Sequence, residues 1–398
     1  MLALTLTACG GSLDSSGDAA PGVTDKTITI GAVQAWGGDF SDPVNKSYEG
    51  MQAWINFVNA HGGIHGRKIV VKKYDHKETA EGGVAACRQL VSDNDVLMST
   101  EFQGQIAHVT TANCLDNSSV PNIVWQGSDD YLNKWSHTFA LLPTPSQMGV
   151  TTAKYVRSRV SGDAPVGLVY VNQDAYKVAG DAFIDEAKDL GVNLVATEPI
   201  SYTQSSYVPQ LERLRAAGVK HVVLLTLGQE TAMLTQAKKI GYAPKWTGSQ
   251  FVFEYAPQAK PGLYEGVTGL KLTSAAPSKT YDDFKKIYEK YGSGKYPEYD
   301  PDTMLSYGFA KVLTKVLEDA GANPTRASVQ KAMKSLSGFQ TGVLGPIDWT
   351  NGVIGTKDLW PVKCCTPERY WKADGEPSAD FGSGALKSEK KPDKGGDS

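Results

Sequence analysis

Short apolar runs alternate with amphipathic stretches along nearly the whole chain from Lys26, and this rhythm narrows the possible folds more than any other feature. Thr27–Val33 reads as a strand. Tyr48–Ala60 reads as a helix, because Met51, Trp54, Ile55 and Val58 recur at i, i+3, i+4, i+7. Gly62 and Gly63 supply its stop signal. Lys68–Tyr74 and Asp95–Ser99 read as strands around a helix over Thr79–Ser92, and Ile106–Leu115 with Val120–Trp125 repeats the unit. The rhythm restarts after Leu142-Pro143-Thr144-Pro145. Strands are expected at Val166–Val171, Val192–Thr197, Lys220–Leu227 and Lys245–Gly248, with helices around Phe183–Leu190, Val208–Ala217 and Thr231–Ile240. Repeated βα units give parallel sheets covered by helices on both faces. Two runs of similar size imply an α/β protein of two doubly wound parallel-sheet lobes, as a chain of 398 residues requires once it outgrows one core. Beyond Pro277, a stripe of Tyr281, Phe284, Tyr288 and Tyr291 and the stretch Met304–Leu317 begin no new repeat, so they are expected to pack back on the first lobe.

Charge and motifs exclude several classes. A net charge of −3 argues against general nucleic-acid binding. Beyond the N-terminus no stretch reaches about 20 consecutive apolar residues, so the body is expected to be soluble. The first strand runs into Ala32-Val33-Gln34-Ala35-Trp36-Gly37-Gly38, which is the wrong sequence for a dinucleotide turn. No phosphate loop, no G-x-S-x-G elbow and no nucleophile–base pair is found, so neither catalysis nor a cofactor is expected. His61 and His65 have metal-like spacing but sit in a glycine-rich turn with no carboxylate or cysteine to complete a site; they read as structural or surface histidines, and no metal is expected.

At the N-terminus, Leu6-Thr7-Ala8-Cys9 is followed by a Gly-, Ser-, Asp- and Ala-rich run over residues 10–22. It resembles a bacterial lipobox whose leader is truncated, which implies lipidation of Cys9 and a flexible tether. The alternative is an incidental cysteine. With Cys9 set aside, Cys87, Cys114, Cys364 and Cys365 remain, an even set that an exported chain can pair. Cys87 and Cys114 fall on successive helices, where a bridge and two buried thiols stay equally open. Cys364-Cys365 reads better as two strand residues on opposite faces than as an adjacent disulfide.

The order of motifs resembles the solute-binding proteins of bacterial ABC importers, in the branch of leucine/isoleucine/valine-binding proteins. The residues that carry it are Ile30-Gly31, Gly50-Met51-Gln52-Ala53 and the run Asn59-Ala60-His61-Gly62-Gly63-Ile64-His65-Gly66-Arg67-Lys68-Ile69. Asp75, Val120-Pro121, Gly149 to Lys154-Tyr155, and Gly345-Pro346-Ile347-Asp348-Trp349 extend it over about residues 27–373. The resemblance implies the type I periplasmic-binding-protein fold, with three hinge crossovers near Leu142–Ser146, Thr273–Ser278 and Gly345–Thr350. The limits expected are a leader and linker over 1–26, a first lobe of 27–143 plus 275–345, a second of 144–274 plus 346–373, and a flexible tail over 374–398. It further implies a monomer, held by lipid on the outer face of the bacterial cytoplasmic membrane, which traps a small molecule between its lobes for a permease and ATPase complex. A ligand-sensing receptor component on the same fold is the alternative.

Ligands of open α/β sheets gather beyond the carboxyl ends of the strands. In the first lobe this singles out Trp36 and Phe40, then Phe102, Gln103, Gly104 and Gln105, then Trp125, Gln126 and Ser128. In the second it singles out Tyr176, Thr226, Leu227 and Gln250. Two departures from amino-acid-binding relatives stand out. Phe102-Gln103-Gly104-Gln105 replaces a hydroxyl-rich run, and Gln250 stands where those relatives carry the acid that pairs with the ligand's ammonium. A buried unpaired ammonium costs several kcal/mol, more than one neutral hydrogen bond returns. Either Glu230 or Glu254 supplies the charge, or the solute is neutral, anionic or aromatic and leucine, isoleucine and valine bind weakly or not at all.

Overall fold

The computed structural model describes residues 20–38, 41–101, 107–131, 133–248, 262–275, 278–296, 301–366 and 371–381. Cys9, Phe40, Phe102, Gln103, Gly104, Gln105 and Gln250 lie outside them, as does Glu254.

Two sheets organise the chain. The first joins β1 (Thr27–Gln34), β2 (Lys68–Asp75), β3 (Met98–Glu101), β4 (Asn122–Gln126) and β5 (Thr138–Leu142) in the order β2-β1-β3-β4-β5, all parallel. The second joins β6 (Val166–Val171), β7 (Leu194–Ile200), β8 (His221–Leu225), β9 (Lys245–Gly248), β10 (Thr268–Lys271), β11 (Trp360–Cys364) and β12 (Trp371–Ala373) in the order β12-β11-β10-β9-β8-β6-β7. Its pairs are parallel except β10–β11 and β11–β12, which are antiparallel. The sequence rhythm did not show this mixed edge, because β11 and β12 follow a long irregular segment rather than a helix. It also passed over β5, whose five residues are buried throughout and so carry no polar alternation.

Among the described residues the helices are α1 (Ser41–Ala60), α2 (Ala80–Asp93), α3 (Ala107–Asn117), α4 (Pro145–Arg159), α5 (Asp174–Asp189), α6 (Val208–Ala216), α7 (Glu230–Lys239), α8 (Lys279–Tyr291), α9 (Pro301–Asp319) and α10 (Arg326–Ser335). The helix expected from Tyr48 begins seven residues earlier in polar sequence: Ser41 bonds back to the Gly38 carbonyl, and Asp42 in the first turn pairs with Lys46 at 2.8 Å. Such first-turn acids favour the positive end of the helix dipole. The late helices do pack on the first lobe. Ile28, Ile30, Met51 and Ile55 share one core with Phe284, Phe309 and Leu313, and the Trp54 indole N–H donates to Thr314 Oγ1 at 2.9 Å. Gly50 is where α1 and α9 touch: a Cβ there would lie 1.8 Å from the Thr303 carbonyl oxygen. Gly149 does the same for α4 and α5, with a Cβ position 2.2 Å from the Ala179 carbonyl oxygen.

Residues 20–26 and 374–381 are more firmly held than the sequence suggests. Residues 20–26, expected as linker, run along the first sheet: the Thr29 N–H donates to the Gly22 carbonyl, and Arg67 reaches the Thr24 and Ala322 carbonyls. Residues 374–381, expected as tail, are bound too, through an Arg159–Asp374 ion pair at 2.9 Å, the Leu359–Ser378 bridge and Phe381 packed edge-on to Tyr155. Cys87 and Cys114 form a disulfide between α2 and α3, with Cα atoms 6.1 Å apart. Cys364 and Cys365 are also joined to each other across a cis peptide bond, which replaces the opposite-face arrangement expected: Cys364 closes β11 and Cys365 lies beyond the strand.

Candidate functional site

Hydrogen bonds hold the segments next to the expected crossovers against the first lobe. At the first, Thr144 caps α4 in a reciprocal box with Gln147, and Pro145 takes the first turn, where its missing N–H costs nothing. Asp129, from the loop after β4, accepts from the Ser146 N–H at 3.2 Å and from the Ser146 hydroxyl. Residues 353–355, beyond the third crossover expected at Gly345–Thr350, lie along β5: the Ala140 N–H donates to the Val353 carbonyl, and the Gly355 N–H donates back to Ala140, both at 2.7 Å. With Ile347 and Trp349 buried in the first core, the chain leaves the first lobe later than the sequence suggests. In the second crossover, the Ser274 N–H donates to the Val343 carbonyl of the first lobe. A cavity of roughly 580 Å³ lies against these segments, lined by Asn133, Gln147 and residues 351–358 among others.

Around the carboxyl ends of the first-lobe strands the expected ligand residues have different fates. Trp36 is turned to the sheet edge. Its indole N–H donates to the Tyr74 carbonyl at 3.1 Å and lies 3.3 Å from that of Ala32, its ring meets Tyr48 edge-on, and Lys73 Nζ sits 4.0 Å above it. Burial holds the Lys73 pKa below its usual value, while the faces of Trp36 and Tyr48 attract its cation. Trp36 therefore braces β1 against β2. Gln126 is buried at the end of β4, with its amide 3.3 Å from Met148 Sδ; Ser128 is half-buried two residues on. Trp125 points away from Gln126 along the strand and packs against the main core.

In the second lobe Tyr176 is buried in the first turns of α5 and packs edge-on against Tyr202, their ring centres 5.9 Å apart. Burial drives its pKa well up, so the phenol stays protonated. Thr226 is fully buried after β8, and its hydroxyl donates to Glu230 Oε2 at 3.2 Å. Leu227 is exposed, while its N–H donates to Gln229 Oε1. Tyr176, Thr226 and Glu230 thus come together beyond β6 and β8. Glu230 is buried at the start of α7, where the helix dipole favours a carboxylate.

The sequence reading missed a polar cluster beneath the first-lobe loops. Glu101, the last residue of β3, is fully buried between two imidazoles: His108 Nδ1 lies 3.2 Å from its Oε2, and His76 Nε2 lies 3.5 Å from its Oε1. Burial pushes the Glu101 pKa up, but His108 and His76 outweigh it and hold the carboxyl below its ordinary range. Burial likewise lowers both histidines, and the Glu101 charge outweighs it and leaves both raised. Acids and histidines at these positions were visible, but nothing in a linear pattern says that the ends of β2, β3 and β4 lie close together.

Two lobes of βα units, bonded crossovers and polar side chains at the strand ends define a two-lobed binding protein. Residues 27–364 match the periplasmic binding protein family, and the chain belongs to it. A curated relative is the Leu/Ile/Val/Thr-binding protein of Salmonella typhimurium, 22% identical over 331 residues that cover 81% of this chain and 87% of that one. Among solved structures, the fatty acid ABC transporter substrate-binding protein from Thermomonospora curvata superposes with a TM-score of 0.72 at 20% identity, covering 91% of this chain and 94% of its own. A solute-binding protein of an ABC transporter from R. palustris, in complex with 4-hydroxybenzoate, gives 0.73 at 16% identity, covering 91% of this chain and all of its own. At these identities the structures establish the shared fold.

Proposed function

We propose that this protein captures a carboxylate-bearing solute without an ammonium group, an aromatic or aliphatic acid, and delivers it to an ABC permease without chemical change. The observation that carries this reading is Gln250, an amide where the resemblance places the acid that pairs with an amino acid's ammonium. The described residues expected at the strand ends support it: Gln126, Ser128, Thr226 and Tyr176 are all neutral donors and acceptors. The solute-binding proteins of like fold named above include one for fatty acid and one holding 4-hydroxybenzoate. Closure would follow hinge mechanics, with the solute favouring the closed form by its differential affinity and the bending confined to a few crossover residues. The lobes would divide at 143/144 and 274/275, and at the third crossing beyond Thr356 rather than at 345/346, because residues 347–356 bond to β5 and share the first core. Cys9 would carry the lipid that holds a monomer at the outer face of the cytoplasmic membrane.

A thermal-shift series decides the ligand class. A solute at about 100 times its dissociation constant adds roughly 2.7 kcal/mol of stability. Benzoate, 4-hydroxybenzoate and medium-chain fatty acids are expected to raise the midpoint, and leucine, isoleucine and valine to leave it in place. A second reading rests on Glu230, a buried acid beside Thr226 and Tyr176 that is able to pair with an ammonium. A shift with leucine that disappears in Glu230→Gln would establish that reading and overturn the first.

A further inference from the structure

Two histidines tie together the strand ends from which the first-lobe loops depart. The main-chain N–H of His76 donates to the Gln34 carbonyl at the end of β1, at 3.0 Å. His76 Nδ1 accepts from the Glu78 N–H at 3.1 Å, so its ring proton sits on Nε2, facing Glu101. His108, in the first turn of α3, has Nε2 3.0 Å from the Gln126 carbonyl. A carbonyl oxygen has no proton to offer, so Nε2 must carry one. The opposite nitrogen faces a carboxylate oxygen, and a neutral imidazole has only one N–H to give. Both contacts are therefore made only when a second proton lies between His108 and Glu101.

We propose that His108 is a positioning residue for solute capture: its two ring N–H groups, one to Glu101 and one to the Gln126 carbonyl, fix the ends of β3 and β4 at one spacing. The inference rests on the reading that the loops after these strands meet the solute. Remove the second proton and lone pair faces lone pair across 3.2 Å in a buried site, so the two ends separate. The charges facing this ring are few among the described residues. Glu101 is in contact, Glu78 acts across His76, and Asp75 stands at the end of β2 on the far side of His76. The edge of Trp135 closes the remaining side, with ring centres 6.3 Å apart. All the nearby carboxylates favour the charged ring, which agrees with its raised pKa.

The test uses the whole protein and first needs no ligand. The ring nitrogens of His108 are followed by 15N NMR from pH 5.5 to 8.5, together with amide-exchange protection of Gly127, whose N–H donates to the Leu142 carbonyl beside the Gln126 contact. Expected is a ring protonated on both nitrogens at pH 5.5, and a loss of Gly127 protection of about tenfold, corrected for intrinsic exchange, where one proton leaves. His108→Gln, which keeps a single donor set, should show the low protection at every pH; if the ring stays doubly protonated throughout, this variant alone decides. The proposal is overturned by a ring that is neutral at pH 5.5, by protection that ignores the ring's titration, or by wild-type protection in His108→Gln. Should that variant not fold, the wild-type titration decides. The affinity of 4-hydroxybenzoate, measured at both pH extremes, should weaken in step with protection. Failure of that probe to bind at any pH counts against the aromatic-acid reading and leaves the NMR result for His108 standing.

Discussion

The Cys87–Cys114 bridge gives a stability effect that can be worked out before measurement. It closes a loop with a sequence separation of 27. Chain-entropy theory puts the loss from cutting such a loop at about 3.5 kcal/mol at 25 °C, acting through the unfolded state. For a lobe of this size each kcal/mol moves the midpoint by roughly 2–4 °C, so the loss should be roughly 7–14 °C. Cys87 lies among Tyr74, Leu90 and Val96, so serine would add a buried hydroxyl, and alanine is the cleaner replacement. A reductant alone is ambiguous because it also opens Cys364–Cys365. The assay is therefore a thermal scan of Cys87→Ala/Cys114→Ala beside the wild type, each with and without reductant. The double variant should melt low in both conditions, and reduced wild type should approach it. A double variant within about 2 °C of oxidised wild type would refute the argument and show that α2 and α3 already stay close in the unfolded chain.

Further outcomes follow from other contacts. Gly50→Ala pushes a methyl into the Thr303 carbonyl, a backbone atom that moves only if α1 and α9 separate; overpacking of this kind costs about 1–3 kcal/mol, and an unchanged midpoint on calorimetry would show the helices sliding freely. Trp36→Phe removes the indole donor to the Tyr74 carbonyl, so chemical denaturation should register a loss of about 1 kcal/mol while solute affinity stays within twofold. A large affinity loss would return Trp36 to the ligand site. The Glu101–His108 pair gives a pH window with a worked sign. The lowered Glu101 pKa contributes stability above the ordinary 4.5 that is lost as pH falls, and the raised His108 pKa contributes below 6.5 and is lost as pH rises. The gap in midpoint between wild type and Glu101→Gln/His108→Gln should be widest between those values, and a gap constant from pH 4 to 9 would contradict the pairing.

The legible part of this molecule was whatever repeats. The βα units of both lobes could be read because apolar periodicity is local, and α1 or α7 would look the same in any protein. Pro-Thr-Pro punctuation marks the start of α4, whereas the Gly-Pro-Ile expected as a hinge leads into residues buried in the first core. What escaped was set by neighbours distant in sequence. Trp36 looks like a cleft aromatic until Lys73 and Tyr74 are seen to hold it at the sheet edge. β5 has no polar alternation because both of its faces are covered, and β11 and β12 lie outside the repeat altogether. The Glu101 cluster needs the strand order β2-β1-β3-β4 before its members become a group.

The late return of the chain to both lobes has a consequence for biosynthesis. The first core needs α8 and α9, and the second sheet needs β11 and β12, so both lobes depend on late pieces of the message. A ribosome that has translated only to Gly345 has released neither unit in finished form: Ile347, Trp349 and Leu359 are missing from the first core, and the nascent chain still exposes the β10 edge that β11 will cover. Domains usually fold one after another as they emerge. Here completion of both cores is deferred to the last stretch of polypeptide, which leaves apolar surface and a strand edge in need of protection from aggregation until synthesis is almost complete.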